Sequence, residues 1–198
     1  MARSALPRVR AVVQRVSRAR VDVGSATVGA IDAGLCVLVS VGPDDDEAVA
    51  QRLAGRISTL RIFPDTDGRM NLDLAASGGA VLVVSQFTLH ADTSRGHRPS
   101  FIRAAAPERA AELYEGFVAA LRQLGHHVET GSFGAHMAVD LVNDGPVTLV
   151  PVSYTHLDVY KRQLRRRRRG RTAGRAQGTA RGLIAVTRRR PPRRARRW

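Results

Sequence analysis

Val and Arg interleave along "RVRAVVQRVSRARVDV" (residues 8–23), a period-two pattern that predicts one or two half-buried strands. Two further apolar runs, "ATVGAI" and "GLCVLVSV", are separated by "DAG" and predict a hairpin-like meander. The unbroken run 35–41 suits a strand covered on both faces. The pattern then changes to a helical period, with Val49, Leu53, Ile57 and Leu60 on one stripe and Asp residues ahead of them to cap it, predicting a helix over about 45–60. "PDTDGRMNL" is a turn, and "GGAVLVVSQFTLHA" is a strong buried strand that runs into polar residues. After the loop "DTSRGHRPSF", Pro107 opens a second helix that Gly125 closes, with Ala110, Leu113, Phe117, Leu121 and Leu124 as its apolar stripe. "HVETGSFG", "HMAVDLV" and "VTLVPV" read as final strands. No repeat at a spacing of about 20–50 residues interrupts this order. The sum is a strand-rich α+β single domain with about two main helices.

Charge changes the picture only at the end of the chain. The 198 residues carry a net charge of +15. Residues 1–151 hold 15 Arg against 16 Asp and Glu, whereas residues 152–198 hold 17 Lys and Arg against one Asp. The globular domain, 1–151, is therefore nearly neutral. The only Lys and the only Trp also lie in the tail, whose Arg-rich text has no sustained apolar period and is expected to be non-globular. It reads as a phosphate-binding arm, as a solvated tail, or as a sequence artefact. The third reading is adopted, because "SYTHLDVYKRQ" resembles a segment that recurs at the ends of translated metagenomic contigs.

Cys36 is a single cysteine inside an apolar run, so it cannot form an internal disulfide and is expected to be a small buried hydrophobe. The first residues lack the apolar run of a signal peptide. No segment reaches the roughly 18 apolar residues of a membrane span, so a cytoplasmic protein is expected.

Motifs for familiar chemistry are missing. Ser85 lacks the Gly-x-Ser-x-Gly elbow, and no phosphate-binding Gly-rich loop follows a strand. His126 and His127 are adjacent rather than at a ligand spacing, so neither metal nor cofactor is expected. Two polar breaks remain. "SQFTL" places Ser85, Gln86 and Thr88 where a strand leaves the core, and simple alternation would put Ser85 and Phe87 on one face, Gln86 and Thr88 on the other. "NDGPVT" (143–148) reads alone as a turn.

Taken together, "AVVQRVSRA", "LRIFPDTDGRMN", "VLVVSQFTL", "RPSF", "VETGSFGAHM" and "LVNDGPVT" resemble blocks of the D-aminoacyl-tRNA deacylase (D-tyrosyl-tRNA deacylase) family, in family order, over residues 9–149. His90 departs from the pattern, which has Tyr or Leu there, a change not expected to touch the chemistry. The resemblance implies a barrel-like sheet core and a homodimer. It implies hydrolysis of the ester joining a D-amino acid, or mischarged glycine, to the tRNA 3′ end, a proofreading step in translation quality control. It further implies a cis Gly145–Pro146 bond inserted into the partner subunit's active site, where rigid carbonyls accept from the substrate ammonium and fill the volume an L side chain needs. Catalysis falls on residues 85–88: Ser85, Gln86, Phe87 and Thr88. Backbone N–H groups around Phe87 and Thr88 are candidates for an oxyanion hole. Thr88 as nucleophile, Thr88 as positioner and catalysis by the ribose 2′-hydroxyl stay open. Met70 and Asn71 are assigned to holding the adenosine, and Arg15 to bracing the Gly-Pro loop. Arg95, Arg98 and Arg103 are candidates for phosphate contact. Two rival readings are a non-catalytic nucleic-acid binder acting through the tail and an unrelated serine hydrolase using Ser85.

Overall fold

The computed structural model describes residues 9–94 and 96–153. The readings made for Arg95 and for nearly all of the Arg-rich tail lie outside these residues. The Val/Arg segment forms one strand, β1 (Arg10–Val23), followed by β2 (Ala26–Ile31) and β3 (Gly34–Ser40). Helix α1 (Glu47–Ser58) begins at Asp46, whose Oδ1 accepts from the Val49 N–H at 2.7 Å, the side-chain cap expected of Asp. A small hairpin, β4 (Phe63–Pro64) and β5 (Met70–Leu72), turns at Gly68, which adopts φ +75°. Then come a four-residue helix α2 (Leu74–Ser77), β6 (Ala80–Ser85), a single 3-10 turn over Phe87–His90, α3 (Pro107–Gln123), β7 (Val128–Thr130) and β8 (Ala138–Leu149). The two long helices are those the periodicity predicts.

The strands run in the order β2-β1-β3-β6-β7, with β8 on the other edge of β1. β3, β6 and β7 are parallel neighbours, and the crossovers between them carry α1 and α3, which pack on each other. β3 is buried on both faces. Leu35, Val37 and Val39 join Val81 and Val83 under Leu53, Ile57, Phe117 and Leu121, while Cys36, Leu82 and Val84 face a second cluster with Val16, Val21 and Ile31. One face of the sheet thus meets the helices and the other fills the interior of a nearly closed barrel.

β1 serves both clusters through an irregularity. Val9, Ala11 and Val13 face the helices, yet Ala19 and Val21, at the same parity, point into the barrel. The register against β8 shifts between Val16 and Arg18, so Ser17 is an extra residue that flips the alternation and bends the strand. Closure depends on β2 meeting β7 at Gly29, where a Cβ would lie 2.4 Å from the Thr130 carbonyl oxygen. Only glycine allows that approach.

Leu124 departs from the expected helix stripe. It is the C-cap of α3 and about half exposed, and Tyr114 and Val118 complete the buried face instead. The strand pairing of β1 also runs past the composition change at 152: Val152 bridges Arg10, and the Ser153 N–H donates to the Val9 carbonyl at 3.0 Å. Among the described residues no helix is long and apolar enough to cross a membrane.

The candidate active site

β6 ends at Ser85, and the Gln86 N–H makes the last bond to β3, donating to the Val39 carbonyl at 2.8 Å. The chain then coils, with Leu89 N–H bonding Gln86 O at 3.1 Å and Ala91 N–H bonding Thr88 O at 3.0 Å. A 3-10 turn has three residues per turn, so the two-residue alternation expected through Thr88 stops at Ser85. Ser85, Gln86 and Phe87 consequently line one cavity together, while Thr88 is exposed beside them. The Thr88 hydroxyl accepts a hydrogen bond from Gln86 Nε2 at 2.6 Å, so an amide holds it rather than a base.

The cavity has a volume of about 350 Å³. Its walls are mainly apolar: Val39 of β3 and Val41 just past its end, Phe87 and Phe101, Pro107 at the start of α3 and Tyr114 in its middle, and Phe133. Phe87 and Phe101 meet edge to face, with centroids 5.0 Å apart and planes at 73°. Tyr114 packs against Phe133 and donates from its hydroxyl to the Val83 carbonyl at 2.9 Å. Burial pushes the Tyr114 phenol up to about 12, so it remains a neutral donor. Ser40, a buried polar residue, also lines this cavity. Phe101 and Phe133 fall inside the blocks "RPSF" and "VETGSFGAHM" but have no role of their own there, while Tyr114 and Ser40 sit in patterns that core packing explains.

The "NDGPVT" segment is not a turn between two strands. It is a bulge within β8. Gln14 of β1 pairs with Thr148 and Val16 pairs with Asn143, so residues 144–147 stand opposite the single residue Arg15. The neck of the bulge is tied by Asn143, whose Nδ2 donates at 3.0 Å to both the Arg15 and the Val147 carbonyls. Arg15 is buried beneath it. Its Nη1 donates to the Ile62 carbonyl at 2.5 Å, and its Nε lies 2.9 Å from Asp144 Oδ2 as an ion pair without the linearity of a hydrogen bond. The Gly145–Pro146 peptide is cis, and Gly145 has φ +122°. A Cβ on Gly145 would lie 2.8 Å from Val147 Cγ2 and 3.0 Å from Arg15 Nη2.

Arg61, next to Ile62, bonds the Asn71 carbonyl through Nε at 2.6 Å and the Asn71 side chain through Nη2, and Met70 beside it is 60% exposed. The candidate residues therefore form two groups on one chain. Arg15, Gly145, Pro146, Asn71 and Met70 are linked through the 61–62 backbone, whereas Ser85, Gln86, Phe87 and Thr88 belong to the cavity. Arg15 pairs with Leu35 and Ser85 pairs with Val39, so the groups are four residues apart on β3, about 13 Å along the strand, and on opposite sides of β1 and β3. Of the candidate phosphate contacts, Arg103 is paired with Asp92 at 3.1 Å and Arg98 is exposed. Among the described residues no group of three or more His, Cys, Asp or Glu side chains converges to hold a metal ion.

A nearly closed barrel with a polar strand end opening on an apolar cavity is built to receive a small-molecule end of a substrate, and comparison with known proteins supplies the class. Residues 12–151 match the family model described as D-Tyr-tRNA(Tyr) deacylase, and the chain belongs to that family. A D-aminoacyl-tRNA deacylase of Symbiobacterium thermophilum is 58% identical over 142 residues, covering 72% of this chain and 94% of the relative. One of Thermus aquaticus is 56% identical over 142 residues, covering 72% and 93%. Among solved structures, one described as c-Myc DNA Unwinding Element Binding Protein aligns with a TM-score of 0.68 at 36% identity, covering 72% of this chain and 97% of its own. Another, described as a probable eukaryotic D-amino acid tRNA deacylase, aligns at 0.64 and 17% identity, covering 73% and 99%, a likeness of fold.

Proposed function

We propose that this chain hydrolyses the ester of D-aminoacyl-tRNA, and of glycine mischarged on tRNA, to free amino acid and tRNA, working in the cytoplasm as a homodimer. Gly145–Pro146 of one protomer would enter the cavity at residues 85–88 of the other. The observation that carries this reading is the separation of the two groups within one chain. The bulge built around Gly145 and tied by Asn143 and Arg15 stands about 13 Å along β3 from its own cavity, a separation that favours its acting on the cavity of a second copy. Main-chain carbonyls on a fixed bulge reject an L side chain by clash, while a D-amino acid or glycine presents only hydrogen in that direction.

For the chemistry, the cavity supplies position rather than a base. Gln86 orients Thr88, and the backbone N–H groups of Phe87 and Thr88 are the proposed donors to the developing oxyanion, a kind of contact whose loss costs on the order of 10²–10³ in rate. With its hydroxyl held by an amide, Thr88 suits positioning, leaving the attacking oxygen to water or the ribose 2′-hydroxyl. The apolar walls suit the adenosine end of the substrate, which Met70 and Asn71 would help hold by entering from the other protomer beside Gly145–Pro146.

The full-length protein is expected to release D-Tyr from D-Tyr-tRNA, to spare L-Tyr-tRNA and to sediment as a dimer. Equal hydrolysis of both, hydrolysis of neither, or stereospecific activity from a monomer would defeat the reading. A second reading, nucleic-acid binding without catalysis, draws on the description of the 36%-identical solved relative. It predicts salt-sensitive binding of DNA with no D-Tyr release.

A further inference from the structure

Ser40 and His90 are two buried polar residues that the reaction outlined above does not use. Ser40 ends β3, lies between Val39 and Val41 and lines the cavity. His90 ends the 3-10 turn that carries Phe87 and Thr88. Both are buried, where an unpaired polar group is costly, and they bond to each other: Ser40 Oγ and His90 Nδ1 are 2.7 Å apart. The imidazole also packs by Gly42, whose added Cβ would stand 3.5 Å from His90 Nε2 and 3.5 Å from Asp45 Oδ2.

The turn between Gln86 and Ala91 is one short 3-10 coil and cannot hold its own orientation. It is tied to β3 at both ends, by Gln86 N–H to the Val39 carbonyl at 2.8 Å and by His90 to Ser40, and to β1 by Arg10 Nη1 to the Leu89 carbonyl at 2.6 Å. Phe87 and Thr88 project between these ties, with Phe87 56% exposed. The His90–Ser40 bond is the side-chain tie to β3, and it joins the turn directly to the cavity wall.

We propose that Ser40 and His90 act as one positioning unit that sets the orientation of Phe87 and Thr88 for the reaction. The proposal rests on the reading of residues 85–88 as the deacylation site. Neither residue is a catalytic group: His90 acts through the backbone of its own turn, and Ser40 acts through His90. Small displacements matter here, because a misplacement of about 1 Å can cost on the order of 10²-fold in rate.

The test is a double-mutant cycle on the full-length protein, with kcat and KM measured on D-Tyr-tRNA below every variant's melting temperature. Ser40→Ala and His90→Leu are each expected to lower kcat about 10-fold with KM changed less than about twofold, and the double variant to fall no further, since one unit is lost once. Asn carries a polar atom where Nδ1 of His stands, facing Ser40, so His90→Asn is expected to keep kcat within about threefold of the parent. Losses that multiply in the double variant, an unchanged kcat, or equal losses for His90→Asn and His90→Leu overturn the proposal. Hydrogen exchange at the Leu89 and Ala91 amides is read on the same variants. Faster exchange there and not elsewhere in the sheet supports the unit, and unchanged exchange sinks it even if the parent releases no D-Tyr. That last outcome in activity would count against the deacylation reading alone.

Discussion

Asn143 closes the neck of the Gly145–Pro146 bulge, and its replacement tests whether that neck shapes the bulge. The side chain donates two hydrogen bonds of 3.0 Å, one across to β1 at the Arg15 carbonyl and one back to the Val147 carbonyl. A hydrogen bond in a folded protein contributes about 0.5–1.5 kcal/mol net. Because Asn143 is half-buried, water replaces part of what is lost, and Asn143→Ala is expected to cost about 1–2 kcal/mol. Asn143→Asp is expected to cost more. It turns the donor into a carboxylate facing two carbonyl oxygens, beside Asp144, whose own charge already pairs with Arg15. Urea unfolding of the full-length protein reads the cost from the shift in midpoint at constant m. Release of L-Tyr from L-Tyr-tRNA, measured on the same preparations, reads the filter. Both variants should raise the L-to-D ratio, since a bulge free to move no longer holds its carbonyls in the path of an L side chain. A midpoint unchanged in Asn143→Ala would show that the neck bonds do not hold the bulge, and a lower midpoint with an unaltered L-to-D ratio would separate the bulge from stereoselection.

Gly29→Ala sets a Cβ 2.4 Å from a backbone oxygen of Thr130 and 3.3 Å from Leu82 Cδ1, so it should force β2 from β7 and lower stability by about 1–3 kcal/mol in thermal unfolding; parental melting would refute the closure argument. Burial lifts the Tyr114 phenol from 10.0 to about 12, so the unfolded chain ionises first. That contribution to stability is intact below pH 10 and is lost as pH rises from about 10 to 12, by up to about 2–3 kcal/mol. Tyr114→Phe should flatten the decline over that window, and parallel curves for the two proteins would contradict it. Cys36 is fully buried, with its thiol pushed up to about 11 by desolvation, so iodoacetamide at pH 8 should label it only in denaturant; native labelling at the rate of a free thiol would refute that burial.

Much of the architecture is legible in local pattern. The run 35–41 reads as a strand covered on both faces, and Leu35, Cys36 and Val37 are indeed fully buried. Asp46 caps α1 and Pro107 opens α3 as their residue types require. These features depend on backbone torsions and on bonds three or four residues apart, so a short window of sequence contains their causes. The polar break at the end of β6 is visible for the same reason, whereas the pair "SQFTL" and "NDGPVT" marks the family by resemblance.

What the local pattern could not contain is register. Ser17 looks like any polar residue in an alternating strand, yet as a bulge it moves Ala19 and Val21 from one core to the other. "NDGPVT" has the composition of a turn and becomes a bulge because Asn143 and Thr148 pair with β1 from more than 120 residues away. Ser40 and His90 meet across 50 residues, and Gly29 touches Thr130 across the barrel seam. Sequence alone therefore determined the two long helices, most of the strands and the two polar breaks, since short-range torsion, capping and burial preferences select them, and its motif blocks marked the family. The tertiary structure decided which faces those elements present, that the two groups of candidate residues stand apart on one chain, and which buried side chains answer one another. Those outcomes follow from strand pairing between distant segments, where a shift of one residue reverses every side chain.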